Sequence, residues 1–351
     1  MKMKHEMKSK DRALAVFEGE LPDRAPVCDF GNIAMVGHYG YRFSDVRGNP
    51  DLARDIMAKW VKETQSDMVF GPFESKGIFM DIPGMSVKLP EDDQGSLRQD
   101  YFSTPEEIES KPLYDPFNRE ECPNLHKYVV DTLRAVHESC PDAMTPVWCE
   151  GPLTTSGFLR GIDQLLMDIL MDPDNAKKAI KRGAELSRQI VGAQLEEIDA
   201  DYVVCTDPVS SADMIDDAMF REFNLEELKK STTQWKQRHG VETVLHICGD
   251  TAPMLESFKE TGARVLSLDH AVDLAKAREA FKDDVVVMGN LDPVSVLLQG
   301  SVDDVDRAAE KCFNDAGRNG GYIFAAGCSV PKNTPIENIV QMANVSKRHA
   351  Y

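Results

Sequence analysis

No run of apolar residues in this chain approaches the ~20 needed to cross a bilayer, which excludes a membrane-spanning helix. The start, MKMKHEMKSKDRALAVFEGE, lacks an apolar segment with a cleavage site, so it does not read as a secretory signal. The protein is therefore expected to be soluble and cytoplasmic. Cys-x-x-Cys does not occur, and the cysteines stand apart at 28, 122, 140, 149, 205, 248, 312 and 328. That dispersal argues against a disulfide framework and against dithiol redox chemistry. Gly-Lys-Ser/Thr and Gly-x-Gly-x-x-Gly loops follow no strand, so nucleotide chemistry has no motif. Basic residues are in deficit: 40 Lys and Arg stand against 59 Asp and Glu, a formal net charge of -19. Such a surface repels phosphate backbones, which disfavours nucleic acid, and it suits a partner with a basic face.

What is present is an ordinary globular composition, 42% hydrophobic and 28% charged, which excludes a disordered or fibrous chain. Short apolar, β-branched runs recur, each followed by a turn and then a helical pattern. They predict eight strands, at Pro26–Phe30, Asp67–Phe70, Thr145–Cys149, Tyr202–Cys205, Thr243–Cys248, Val265–Leu268, Val285–Met288 and Tyr322–Ala326. Amphipathic stretches such as ARDIMAKWVKETQ and NAKKAIKRGAELSRQIVGAQLEEI lie between them. Near-continuous apolar strands alternating with helices imply parallel pairing with helices on the faces. Eight such units favour an α/β fold of the (β/α)₈ TIM-barrel type, spanning 1–351 as one domain, over an open doubly wound sheet. One connection is too long for a plain barrel turn. Residues 74–143, with FMDIPGMSVKLPEDDQGSL near their start, read as a lid-like insertion after the second strand.

Barrel chemistry sits at the C-terminal ends of the strands. The polar residues there are Asp29 and Asn32, Glu150, Asp207, His246 with Cys248, Asp269 with His270, Asn290 with Asp292, and Cys328. Acids and amides at such places also cap the next helix, and Asp207, Asn290 and Asp292 are open to either role. His246 and Cys248 flank one residue, so on an extended strand their side chains point the same way. A neutral imidazole beside a thiolate suits Zn²⁺, and Cys328, across the barrel mouth, could complete the set. Structural burial of the two cysteines is the plain alternative.

Five segments then resemble the uroporphyrinogen decarboxylase superfamily: LPDRAPV at 21–27, EGPLT at 150–154, HICGD at 246–250, MGNLDPV at 288–294 and AAGCSVPKNTPIENI at 325–339. The resemblance covers the chain apart from the insertion, and it implies a (β/α)₈ barrel. True decarboxylases carry an Arg-rich segment after the first strand and a late Gly-His-Gly. Here CDFGNIAMVGHYG at 28–40 has no Arg, and the late motif is Ala326-Gly327-Cys328. The pattern is instead similar to the zinc methyltransferases, the methylcobalamin:coenzyme M enzymes and the substrate-demethylating components of corrinoid O-demethylase systems.

By that resemblance His246, Cys248 and Cys328 are zinc ligands. Glu150, Asp269 or the substrate's own heteroatom would fill the fourth position, with Glu150 preferred. Asp207 and Asp269, with Glu150, are the implied catalytic acids, and Asn290 is an implied cofactor contact. No Asp-x-His-x-x-Gly signature is present, so the cobalamin would arrive on a separate corrinoid protein. Asp29, Phe30, Asn32, Phe70 and Phe73 are the implied substrate contacts. Apolar walls there, with Met35, would suit a methyl ether. A thiol such as coenzyme M would need a cation for its sulfonate, and Arg160 and Lys332 are the candidates. Direction of transfer, substrate and oligomeric state stay open. A decarboxylase acting on a porphyrinogen or other acid is the alternative reading, and a non-enzymatic binding barrel is a third.

Overall fold

A two-stranded antiparallel hairpin, β1 (Val87–Lys88) with β2 (Ser96–Leu97), precedes a parallel sheet whose strands neighbour one another in chain order. The sheet holds β3 (Pro146–Glu150), β4 (Tyr202–Thr206), β5 (Glu242–Ile247), β6 (Val265–Leu268), β7 (Val286–Met288) and β8 (Tyr322–Ile323). This computed structural model describes residues 6–28, 30–97 and 100–351. Two bridging segments close the ring. Val27 pairs in parallel with Phe324, Cys28 with Met68, and Met68 with Met144. The first two predicted strands are thus single-bridge staves of a TIM barrel, and β3 to β8 are the other six.

Those two staves are short for a physical reason. Their ladder is partly replaced by a buried carboxylate: Asp67, fully buried, accepts from Val27 N at 2.9 Å, Arg12 Nη1 at 2.7 Å and Arg24 Nη1 at 3.0 Å. Two guanidiniums on one carboxylate offset its desolvation, and removing one partner would leave a buried charge uncompensated, at a cost of about 3–5 kcal/mol.

A helix follows each stave and covers it: Pro50–Thr64, Asp131–Ser139, Pro173–Glu197, Leu225–His239, Leu255–Lys259, Leu274–Phe281, Val302–Cys312 and Ile336–Arg348. Their starts are capped by side chains that the turns supply, such as Asn49, Asp273 and the Ser301–Asp304 box. None is long and apolar enough to cross a membrane.

The long connection after Phe70 has two parts. Residues 123–139 are helical and lie against Pro50–Thr64 as the barrel's own second helix. The first part carries the hairpin, and its turn is tied down. Buried Glu74 accepts from Gly95 N at 2.9 Å and from Arg47 Nε at 3.0 Å, and Arg47 Nη2 reaches the carbonyls of Pro90 and Asp93, each at 2.8 Å.

Candidate metal centre

Parallel register lines up one residue from each of four adjacent strands: Glu150 with Thr206, Thr206 with His246, and His246 with Ser267. In-register neighbours share a face, so these four form one polar row. Each end of the row is hydrogen-bonded internally. Thr206 Oγ1 donates to Glu150 Oε2 at 2.9 Å, and His246 Nδ1 lies 3.1 Å from Ser267 Oγ.

Cys248 follows β5, two residues beyond His246, and its Sγ is 3.1 Å from His246 Nε2. Cys328, on the loop after β8, brings its Sγ to 3.4 Å from Cys248 Sγ. Gly327 lets that loop lie flat on the next one, since a Cβ there would stand 2.4 Å from His270 N. All three ligand atoms fall within 4.8 Å of one another, and among the described residues no other group of three or more potential metal ligands does so. One imidazole nitrogen and two sulfurs suit a borderline-soft divalent ion such as Zn²⁺. Tetrahedral bonds of about 2.3 Å set two sulfurs about 3.7 Å apart, so the trio fits with an opening of a few tenths of an ångström.

The two sulfurs lie within hydrogen-bond reach, and either can be the donor. Beside Cys248 and facing His246, the Cys328 thiol is held down at about 4. Contact with Cys328 and burial push the Cys248 thiol far above the ordinary range, with Asp269 and Glu150 adding negative potential. A divalent ion would displace the thiol protons and leave two thiolates.

The apolar side of the centre is aromatic. Phe30 lies with its ring centroid 4.9 Å from that of His246 and 4.1 Å from that of Phe70. Phe73 stands further round, against Trp148 at 5.3 Å. Met35 is fully buried. Asn32 opens the helix Asn32–His38, is 8% exposed, and its Oδ1 has no hydrogen-bond partner among the described residues. Asp29 lies outside the described residues.

Several expected roles change. Glu150 is not brought into the ligand set: its Oε1 is 2.6 Å from Lys76 Nζ and its other oxygen takes Thr206, so a salt bridge and a hydroxyl already satisfy it. Asp207 has no exposed surface, and Thr154 N, Ser210 Oγ and Asn224 Nδ2 occupy its carboxylate at 2.7, 3.0 and 2.7 Å. It welds the loops after β3 and β4 together, with Gly151 beside it because a Cβ would meet Asp207 Cγ at 2.4 Å. Asn290 staples a loop: its Nδ2 donates to the carbonyls of Asp269 and Val272 at 2.8 and 2.7 Å. Asp292 caps a helical turn through Val294 N and Ser295 N. Asp269 stays at the centre's edge, 6% exposed, 2.8 Å from His270 Nδ1. Arg160 is buried and committed to Asp168 at 2.7 Å, and Lys332 pairs with Asp92 at 2.8 Å.

Lys76, Thr206 and Ser267 were not singled out from sequence. Ser267 and Thr206 carry one usable signal: each interrupts an apolar strand at the position flanking His246. Lys76 carries none, because its meeting with Glu150 is set by the path of the inserted segment.

Known proteins resemble the chain, some over nearly all of it and others over part. The methylcobamide:CoM methyltransferase MtaA of Methanosarcina barkeri is 24% identical over 349 residues, 97% of this chain and 98% of the relative. The methylcobamide:CoM methyltransferase MtbA of Methanosarcina mazei is 34% identical over 152 residues, 43% of each chain. A solved methyltransferase from Methanosarcina mazei superposes with a TM-score of 0.82 at 23% identity, covering 98% of this chain and 99% of that one. The family model for uroporphyrinogen decarboxylase (URO-D) matches residues 8–349, and the chain therefore belongs to that family.

Proposed function

We propose that this chain is a methyltransferase that exchanges a methyl group between a small substrate and the cobalamin of a separate corrinoid protein, with zinc held by His246, Cys248 and Cys328. The convergence of one imidazole and two sulfurs at the strand ends is the observation that carries this reading. A decarboxylase would need cations for its acidic substrate, and the stretch at 28–40 has no Arg. The relatives named for methylcobamide and coenzyme M support the corrinoid link.

Bound zinc would supply Lewis acidity, keeping a thiol deprotonated or drawing charge from the oxygen of a methyl ether. The chain's own residues do the rest. Ser267 fixes the imidazole so that Nε2 faces the sulfurs. Phe30 and Phe70 exclude water on one side and offer an apolar wall, which favours a methyl ether over a sulfonated thiol. Lys76 and Glu150 cancel each other's charge beside the centre.

Purified protein, zinc-loaded under reducing conditions, is mixed with methylcobalamin and a panel of thiols, and with cob(I)alamin and a panel of methyl ethers. Transfer should follow zinc content and vanish in Cys248→Ala and Cys328→Ala. Undiminished transfer by metal-free protein would sink the reading.

A further inference from the structure

Among the eight cysteines, six are buried and only Cys248 and Cys328 are partly open to solvent. Those two are also the pair whose sulfurs lie 3.4 Å apart. They come from the loop after β5 and the loop after β8, three places apart in the sheet order, so the contact is made by the curvature of the barrel. Cys149 and Cys205 are paired in register on β3 and β4, yet both are fully buried and closed to a soluble oxidant.

We propose that Cys248 and Cys328 are an oxidation-sensitive pair, which hydrogen peroxide converts to a disulfide that closes the centre to metal. The step balances in two stages. One thiolate attacks the peroxide, an S–O bond forms as the O–O bond breaks, and hydroxide leaves to take up a proton as water. The second thiolate attacks that sulfur, the S–S bond forms, the S–O bond breaks, and a second water leaves. Two thiols and one peroxide become one disulfide and two waters. A disulfide holds its sulfurs at about 2.05 Å, and neither sulfur then offers the thiolate that a metal ligand must be. Metal and disulfide therefore exclude each other. Six buried cysteines keep the reaction confined to this pair.

The metal half of this inference rests on the zinc reading, whereas the sulfur half rests on the distance alone, and the experiment separates them. Metal-free and zinc-loaded protein are each treated with dilute hydrogen peroxide under native conditions. Free thiols are then counted after denaturation, the intact mass is recorded, and cross-linked peptides are mapped. Metal-free protein should fall from eight thiols to six, lose about 2 Da, and yield one peptide joining Cys248 to Cys328, all reversed by dithiothreitol. Zinc-loaded protein should lose the same thiols about tenfold more slowly, with zinc released in step. Eight surviving thiols, a cross-link elsewhere, or a gain of about 32 Da for a sulfinic acid would overturn the proposal. Equal rates with and without zinc would also overturn it. Cys328→Ala should keep the remaining thiols unpaired, and a disulfide in that variant would show the wrong partner. Failure of the methyl-transfer reading appears as zinc-loaded, fully reduced protein that moves no methyl group, a result that leaves the thiol count untouched.

Discussion

His246 and Ser267 face each other in register on β5 and β6, with the imidazole Nδ1 3.1 Å from the serine hydroxyl. The two ring nitrogens have different tasks, and the hydrogen bond at one sets what the other can do. A proton on Nδ1, donated to Ser267, would leave the Nε2 lone pair toward Cys248, 3.1 Å away. Thr206, on the other flank, turns its hydroxyl to Glu150 instead. The ring is thus aimed from one side only.

Ser267→Ala should weaken zinc binding by about tenfold or more, since losing an outer hydrogen bond to a ligand typically costs 10–100-fold in affinity. Ser267→Thr keeps the hydroxyl and should restore most of it. Competition against a chromophoric chelator reads the affinity directly. An alanine variant that binds as tightly as the parent would mean the ring is held by packing against Phe30 alone.

Glu150 gives a sharper test of how many side chains ligate. Its carboxylate is already held by Lys76 and Thr206. Glu150→Gln should therefore keep one zinc per chain, while Cys328→Ala should not. Metal analysis after gel filtration distinguishes them, and loss of zinc from the glutamine variant would restore Glu150 as a fourth ligand.

Much of this was readable beforehand, and the failures share a cause. Five of the six central strands match their expected bounds within a residue because each is an apolar run bounded by turns, and β8 ends three residues early, at Ile323. The staves at Val27–Cys28 and Met68 were expected to be longer, since Asp67 looks like a strand start and its burial between Arg12 and Arg24 is a tertiary fact. The candidate ligands His246 and Cys248, two residues apart at a strand end, are legible in sequence, and the late Gly-Cys joins them through a family likeness. Asp207 and Asn290 stay open in the sequence for the opposite reason. Nothing local distinguishes a strand-end carboxylate facing solvent from one enclosed by Thr154, Ser210 and Asn224. Arg160 likewise looked free until its helix turned it onto Asp168.

Asp207 should prove structural. Asp207→Ala takes the acceptor from Thr154 N and Ser210 Oγ, leaves Asn224 Nδ2 only Ser210, and should cost about 3 kcal/mol of unfolding free energy, with zinc per folded chain unchanged. Its pH dependence has a definite sign. Burial raises the carboxyl above its ordinary value despite the three donors. The native state then holds a proton that the unfolded chain has released, so this contribution is complete below the unfolded value near ~3.9 and is lost as pH rises through the raised one. Asp207→Asn cannot titrate and should lack that slope. Urea denaturation at a series of pH values from 3.5 upward measures it, and parallel curves for parent and Asn variant would refute the assignment.

The hairpin supplies the last prediction. Three consecutive residues join it to the metal centre: Glu74 holds Gly95 and Arg47, Ser75 donates to Gln94 at 2.6 Å, and Lys76 reaches Glu150 at 2.6 Å. The turn also ties to Lys332 through Asp92 and to Arg42 through Glu91. These last two pairs are substantially exposed and each is worth little, so the turn is held chiefly by Arg47 through the carbonyls of Pro90 and Asp93, and lifting it requires those two bonds to give way while Arg47 keeps Glu74. On the proposed methyl-transfer reading a corrinoid protein would bring its cobalt to the centre, and we propose that the turn moves aside and forms part of the docking surface. Its acidic residues Glu91, Asp92 and Asp93 would speed encounter with a basic collar at low salt. Replacing residues 84–100 with a short Gly-Ser linker should leave zinc content intact, slow transfer with protein-bound methylcobalamin, and leave transfer with free methylcobalamin unchanged or faster. If both transfer rates match the parent at equal zinc content, the hairpin has no part in docking and serves only to stabilise the barrel.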